Sequence, residues 1–221
     1  MSLILNIDTA VQTSSVCLAN DEKILGTKIN PEQKDSAAWL HVAIKELLEE
    51  QKVLLKDVKA IAISEGPGSY TGLRVGMSAA KGLCYALNIP LIGISTLQMM
   101  ASAAINLDTD LYCPMIDARR MEVFAAVFDK GLNVVLPPHN LILNENSFDE
   151  FMANNRMLFF GNGSDKFRSL ARHSNADFQW IEATAEHMIL LSLSMYKQGI
   201  FADLAYAEPF YGKDFHSPFV K

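Results

Sequence analysis

The residues with the most chemistry to offer lie in one stretch, Glu65-Gly66-Pro67-Gly68-Ser69-Tyr70-Thr71-Gly72-Leu73-Arg74-Val75-Gly76. Four glycines and a proline in a dozen residues describe a backbone that turns sharply and packs closely. A turn of this kind at the start of a helix presents backbone N–H groups, which makes a generic anion site. It does not match the common nucleotide loops. A Walker A loop needs Gly-Lys-Ser/Thr at its end, and no lysine follows before Lys81; a dinucleotide fingerprint needs a third glycine where Thr71 stands. Tight packing of strand, turn and helix accounts for the same residues without a ligand. Arg74 is the exception, because a cation in a first helical turn opposes the helix dipole. It asks for an acidic partner, Glu65 within the chain or a group on another chain.

Two aspartates stand at matching places, Asp8 at the end of the first apolar run and Asp117 at the end of the run that opens the second half. Such a pair could flank a nucleotide through a metal-bound water, and an Asx-turn closing each strand is the structural alternative. A phosphate approaching either turn would need a nearby glycine, and those positions carry Ala10 and Arg119. His41, His139, His173, His187 and His216 are scattered, with no spacing that suits a metal-binding helix. No Gly-x-Ser-x-Gly elbow supports serine hydrolase chemistry. Cys17, Cys84 and Cys113 sit in apolar runs and read as reduced core thiols.

The elements that must position these groups alternate between strand and helix. Leu3–Ile7, Ser14–Ala19 and Lys23–Ile29 are strand candidates, with hairpin chemistry at Asn20-Asp21. A helix is predicted over Glu32–Gln51, where Ala37, Leu40, Ile44, Leu47 and Leu48 form one stripe, broadened by Trp39, Val42 and Ala43. Ala60–Ile63 reads as a buried strand that leads into the glycine turn. A helix over Gly72–Leu87 follows, rich in small residues that allow close approach, then a strand at Leu91–Ile94 and a helix over Thr96–Ile105 capped by Ser95. Asn106–Asp110 is the candidate boundary. Strands restart at Leu111–Ile116, Glu122–Asp129 and Asn133–Leu143, and a short helix at Phe148–Ala153 precedes a strand at Met157–Phe160. Gly161-Asn162-Gly163-Ser164 turns into another helix, and Thr184–Gln198 is the last; the tail from Ala207 is irregular. The second half repeats the order of the first, which predicts two lobes of related architecture, 1–106 and 107–221.

Composition sets the class. Half of the 221 residues are apolar and the net charge is −6, which disfavours binding nucleic acid through a basic surface alone. No apolar run approaches the length of a membrane span, and the N-terminus lacks a signal-peptide pattern, so a cytoplasmic protein is expected.

The Gly66–Gly76 run resembles the TsaB (YeaZ) family of tRNA threonylcarbamoyladenosine (t6A) biosynthesis, whose Gly-Pro-Gly-Ser-Phe/Tyr-Thr-Gly-Leu-Arg motif it reproduces in full. Ile7-Asp8-Thr9, Ser14-Ser15-Val16, Ala80-Lys81-Gly82-Leu83, Ser95-Thr96-Leu97, Asp117-Ala118-Arg119, Glu122-Val123-Phe124 and Pro209-Phe210-Tyr211 extend the likeness along nearly the whole chain.

The resemblance implies an α/β, actin-like and Hsp70-like ATPase (ASKHA) fold of two duplicated lobes with a degenerate nucleotide site at Asp8 and Asp117. It implies a non-catalytic subunit that pairs with TsaD, helps recruit the ATPase TsaE, and meets tRNA only through the complex. ATP and metal would belong to the partners, with no cofactor bound tightly by this chain. Where TsaD carries its two metal-binding histidines, alignment through Gly93 places Thr96 and Met100. The two long helices would build the partner interface, with Trp39, Leu40, Val42, Ala43, Arg74, Val75, Gly76, Ala79, Ala80 and Leu83 as its candidates. Alone, the chain could cover that surface by forming a homodimer. One departure is Asp35, where many relatives have histidine. The alternative is a stand-alone ATPase or phosphotransferase using Asp8 and Asp117. An older peptidase label for the family finds neither a nucleophile–base pair nor a metal motif here.

Overall fold

A computed structural model describes residues 2–30 and 36–212 of the chain; Glu32 to Asp35, the start of the first predicted helix and the Asp35 departure, and His216 lie outside the described residues. The first half contributes β1 (Leu3–Asp8), β2 (Ser14–Asn20), β3 (Lys23–Asn30), α1 (Ser36–Glu50), β4 (Ala60–Gly66), α2 (Tyr70–Leu87), β5 (Leu91–Ser95) and α3 (Thr96–Ala103). The second contributes β6 (Leu111–Asp117), β7 (Glu122–Asp129), β8 (Val134–Ile142), α4 (Asp149–Met152), β9 (Met157–Phe160), α5 (Ser164–Arg168) and β10 (Ala176–Phe178), and α6 (Ile189–Gln198) closes the series.

Each half builds a five-stranded sheet, β3-β2-β1-β4-β5 and β8-β7-β6-β9-β10. In both, the first three strands are antiparallel, and the next two join in parallel beside the first of them. The duplication expected from the sequence is therefore present strand for strand.

Alternation along β1 assigns its two faces. Leu5 and Ile7 belong to the core beneath α1 and α2, whereas Ile4 belongs to a core shared with the second sheet. Apolar residues of α3 and α6 fill that shared layer, together with Tyr112, Phe128 and Phe160 of the second sheet. A third core, dominated by Phe148, Phe159 and Phe167, lies on the far side of the second sheet.

Several local expectations change. The helix expected over Thr184–Gln198 divides into a 3₁₀ turn at Ala185–Met188 and α6. Ser95 precedes α3 without a side-chain capping bond, and its buried hydroxyl has no hydrogen-bond partner among the described residues. β10 was not legible, because Ala176–Phe178 is three residues long and carries an aspartate.

The segment after Ala183 also departs from expectation, because it returns to the first sheet. Ser15 Oγ accepts the Ala185 N–H at 2.8 Å, and Ser192 Oγ donates to Asn6 Oδ1 at 2.7 Å. Glu182 and Glu186 accept from Thr13 and Thr27 at 2.9 and 2.6 Å. The tail then runs as a strap over the edge of β5 and along α2. Ala202 N–H donates to Leu91 O at 2.9 Å, Lys81 Nζ to Ala207 O at 2.7 Å, and Phe210 N–H to Glu65 O at 2.7 Å. A cut at residue 106 separates the two sheets, but the last helix and the strap pack with the first.

Candidate functional site: an interlobe cleft and an outer helix face

The two aspartates mark the mouths of equivalent turns, and both turns are Asx-turns. Asp8 Oδ1 accepts the Ala10 N–H at 2.9 Å, and Asp117 Oδ1 accepts the Arg119 N–H at 2.6 Å. Their surroundings differ sharply. Asp8 is fully buried; its Oδ1 also accepts from the Ser64 hydroxyl, and its buried Oδ2 has no partner among the described residues. Burial pushes the Asp8 carboxyl up to about 6, against the opposing pull of Ser64 and Ala10. Asp117 is exposed and holds Lys166 Nζ at 2.7 Å. Its slight burial pushes the carboxyl up, but the Lys166 hydrogen bond, the Arg119 N–H and both positive charges outweigh that and leave it below the ordinary value.

The glycine turn explains why Asp8 is sealed. Added methyl groups would strike Ala10 O at Gly68, Thr9 O at Gly72 and Thr9 Oγ1 at Gly76. The turn thus lies directly on the β1–β2 connection. Ser69 N–H donates to Ala10 O at 2.8 Å, and Thr9 Oγ1 donates to Gly72 O at 2.7 Å. Ser69 caps α2 by accepting the Gly72 N–H at 3.3 Å. The turn packs, as its structural reading required.

Between the lobes lies a cleft of about 860 Å³. Its first-lobe wall carries Gln12, Thr13, Ser69 and Tyr70; Ile116, Asp117, Arg119 and Asn162 enter from the second. Met100 and Phe124 form apolar parts of its lining, and Trp180, Glu182 and Tyr211 complete it. Asp117 lines this cleft and Asp8 does not. Lys166, Asn162, Trp180 and Tyr211 were not singled out as site residues. The Gly161–Ser164 turn, which repeats the position of the glycine turn after β4, was the available signal for the first two.

Arg74 does not pair with Glu65. Its Nε donates to Tyr211 Oη at 2.9 Å, and its guanidinium lies 4.1 Å from the centre of the Tyr70 ring. Tyr70 and Tyr211 pack with ring centres 5.0 Å apart. The Glu65 carboxylate instead lies against Gly93, and burial raises its pKa.

The proposed partner residues divide. Leu40, Ala43, Gly76, Ala79 and Ala80 are buried, which corrects their expected place on an outer face. The sequence counted each helix against one sheet, but α1 and α2 also pack on each other. Val42 and Arg74 are exposed, and Trp39, Val75 and Leu83 are half-buried. The outward ridge of α2 runs through Thr71, Arg74, Ser78, Gly82 and Tyr85.

Two α/β lobes of one topology, with matching aspartates and a cleft between them, define the actin-like ATPase architecture. The activator of 2-hydroxyisocaproyl-CoA dehydratase from Clostridium difficile, solved with bound ADPNP, superposes with a TM-score of 0.53 at 9% identity, covering 89% of this chain and 96% of that one; it shows the fold alone. The family model described as "TsaD: tRNA N6-adenosine threonylcarbamoyltransferase" matches residues 23–207, and the chain belongs to this family, in its TsaB (YeaZ) branch. The Escherichia coli tRNA threonylcarbamoyladenosine biosynthesis protein TsaB is 28% identical over 216 residues, 94% of this chain and 93% of that protein. Bacillus subtilis TsaB is 32% identical over 143 residues, 63% of this chain and 62% of that one. The structure of YeaZ from Pseudomonas aeruginosa superposes with a TM-score of 0.85 at 24% identity, covering 96% of this chain and all of that one.

Proposed function

We propose that this chain is a non-catalytic subunit of t6A biosynthesis. It pairs with a TsaD-type threonylcarbamoyltransferase, helps to engage a TsaE-type ATPase, and so supports threonylcarbamoyl transfer to adenosine 37 of tRNA. The observation that carries the non-catalytic reading is the state of the two aspartates. Asp8 is sealed beneath the glycine turn and Asp117 is neutralised by Lys166 at 2.7 Å. Neither is left to hold a hydrated metal ion. Thr96 and Met100 are buried, and neither supplies the imidazole of a divalent-metal site. Among the described residues, no group of three His, Cys, Asp or Glu side chains could hold a metal.

Trp39, Val42, Arg74, Val75 and Leu83 are the contacts we assign to the partner, on the exposed side of α1 and α2. Covering that side with a second copy gives the homodimer proposed for the isolated chain. No described helix is long and apolar enough to cross a membrane.

Reconstitution with TsaD- and TsaE-type proteins and tRNA tests this reading. Modification is expected only when the chain is present, and undiminished modification without it overturns the proposal. Val42→Glu places a charge at a 54% exposed position and is expected to abolish co-elution with the TsaD-type subunit at unchanged thermal stability. Magnesium-dependent ATP turnover by the chain alone, lost in Asp8→Ala, would favour the independent ATPase instead.

A further inference from the structure

Packing and capping account for the glycines and Ser69 of the turn, and they leave Arg74 unexplained. Arg74 is exposed on the outward ridge of α2, where its neighbours Thr71, Ser78, Gly82 and Tyr85 are uncharged. The first turn of α2 carries no acid, and the Glu65 carboxylate lies against Gly93 instead. Among the described residues the partners of Arg74 are Tyr70 and Tyr211, and no carboxylate pairs with it. A permanent positive charge therefore stands on the fold's surface with nothing of opposite sign against it.

The two tyrosines hold that charge in place. Its Nε donates to Tyr211 Oη at 2.9 Å, and the guanidinium carbon lies 4.1 Å from the centre of the Tyr70 ring and 5.8 Å from that of Tyr211. Tyr211 belongs to the strap, which is itself anchored where Phe210 N–H donates to Glu65 O and Lys81 Nζ to Ala207 O. A surface arginine ordinarily loses side-chain entropy when it enters an ion pair. Here the rings order the side chain before any partner arrives, which favours binding. With Nε on Tyr211, the remaining donors lie on Nη1 and Nη2, the end of the fork that matches a carboxylate.

We propose that Arg74, oriented by Tyr70 and by Tyr211 of the strap, takes a carboxylate of the TsaD-type subunit. This rests on the reading of the exposed side of α1 and α2 as the partner surface, and it makes the strap part of that surface. A protein carboxylate suits the site better than a nucleic-acid phosphate. Binding to nucleic acid grows with the number of phosphates neutralised, and here one cation stands in an uncharged ridge of a chain whose net charge is −6. Arginine and tyrosine together are also the side chains over-represented among the residues that dominate protein interfaces.

Calorimetry of the purified full chain with the TsaD-type subunit, at about 0.05 M and about 0.5 M salt, tests it. Arg74→Gln should weaken pairing at least about tenfold at the lower salt and reduce its salt dependence. Arg74→Lys keeps the charge without the fork and should recover only part of that loss. Tyr211→Phe removes the hydroxyl that holds Nε and should weaken pairing roughly threefold in the parent. It should add nothing in the Arg74→Gln background, because it acts through Arg74. Arg74 is exposed and Tyr211→Phe keeps the ring, so each variant should retain the circular dichroism and melting temperature of the parent. Failure of the unaltered chain to bind the TsaD-type subunit overturns the functional reading, and this inference with it. Binding by the unaltered chain that Arg74→Gln leaves unaffected overturns this inference alone. A loss in Arg74→Gln at unchanged salt dependence overturns the carboxylate in favour of a neutral acceptor. Unaffected pairing with weaker tRNA binding by the assembled complex overturns it in favour of a phosphate. Additive losses in the double variant overturn the positioning role of Tyr211.

Discussion

Asp8 and Asp117 occupy the same place in two copies of one topology, and they have opposite electrostatics. Both end the central strand of a sheet, and both accept an N–H two residues on. The first is fully buried beside a turn that packs on Thr9 and Ala10 through Gly68, Ser69 and Gly72, and its carboxyl rises to about 6 through burial. The second meets water and Lys166, and its carboxyl falls below the ordinary value. The comparison teaches that duplicated strands fix where an acid stands, while the connection laid over it fixes its charge. After β4 that connection is the glycine turn and a long helix. After β9 it is a short turn, with a lysine of α5 reaching back.

The sharpest way to break the comparison is to unseal the first turn. Gly72→Ala drives a methyl group into the backbone carbonyl of Thr9, and it should cost about 3 kcal/mol or more, read from chemical denaturation. Next comes the charge itself. The Asp8 shift from 3.8 to about 6 disfavours the folded state by about 3 kcal/mol once pH exceeds 6. Its folded pKa is raised, so the fold is free of this penalty below pH 3.8 and loses that stability as pH rises through 6. Asp8→Asn should therefore stabilise the chain by about 1 to 2 kcal/mol at pH 8, after a penalty for its unpartnered amide, and flatten that slope. Asp117 has the reverse sign. Its lowered pKa stabilises the fold above the ordinary carboxylate value and ceases to do so as pH falls through the folded value. Asp117→Asn should cost under about 1 kcal/mol at pH 7, since the pair is partly exposed and screened. Lys166→Ala should move the Asp117 carboxyl back towards its ordinary value in an NMR titration. The smallest effect contrasts two glycines of α2. A methyl group at Gly82 would meet nothing within 4 Å, so Gly82→Ala should stabilise by about 0.5 to 1 kcal/mol in the same denaturation assay.

Sequence patterning showed the strands and helices well where periodicity and punctuation agreed. β6 to β9 and α2 lie close to their predicted bounds, and α1 ends within one residue of its own; the repeated order was readable because both halves use it. The contacts of Arg74 were hidden, because Tyr211 is 137 residues away and no local pattern joins them. The small residues Gly76, Ala79 and Ala80 were legible as sites of close approach. What they approach was not: β1–β2 and the neighbouring helix receive them, so the outer face is smaller than the apolar circumference suggested. The cleft depends on loop residues such as Trp180 and Asn162, which carry no periodic signal.

The strap and α6 have a consequence for the order of synthesis. The first sheet is complete in strands once residue 95 has been made, yet its shared core needs Met188, Ile189 and Leu193. The second lobe is therefore an insertion within the first, and the ribosome releases the inserted part before the host can close. A nascent chain halted near residue 180 would present an uncovered sheet face to chaperones. Folding of the first lobe should finish last, as a long-range event bringing Ser192 to Asn6 across 186 residues.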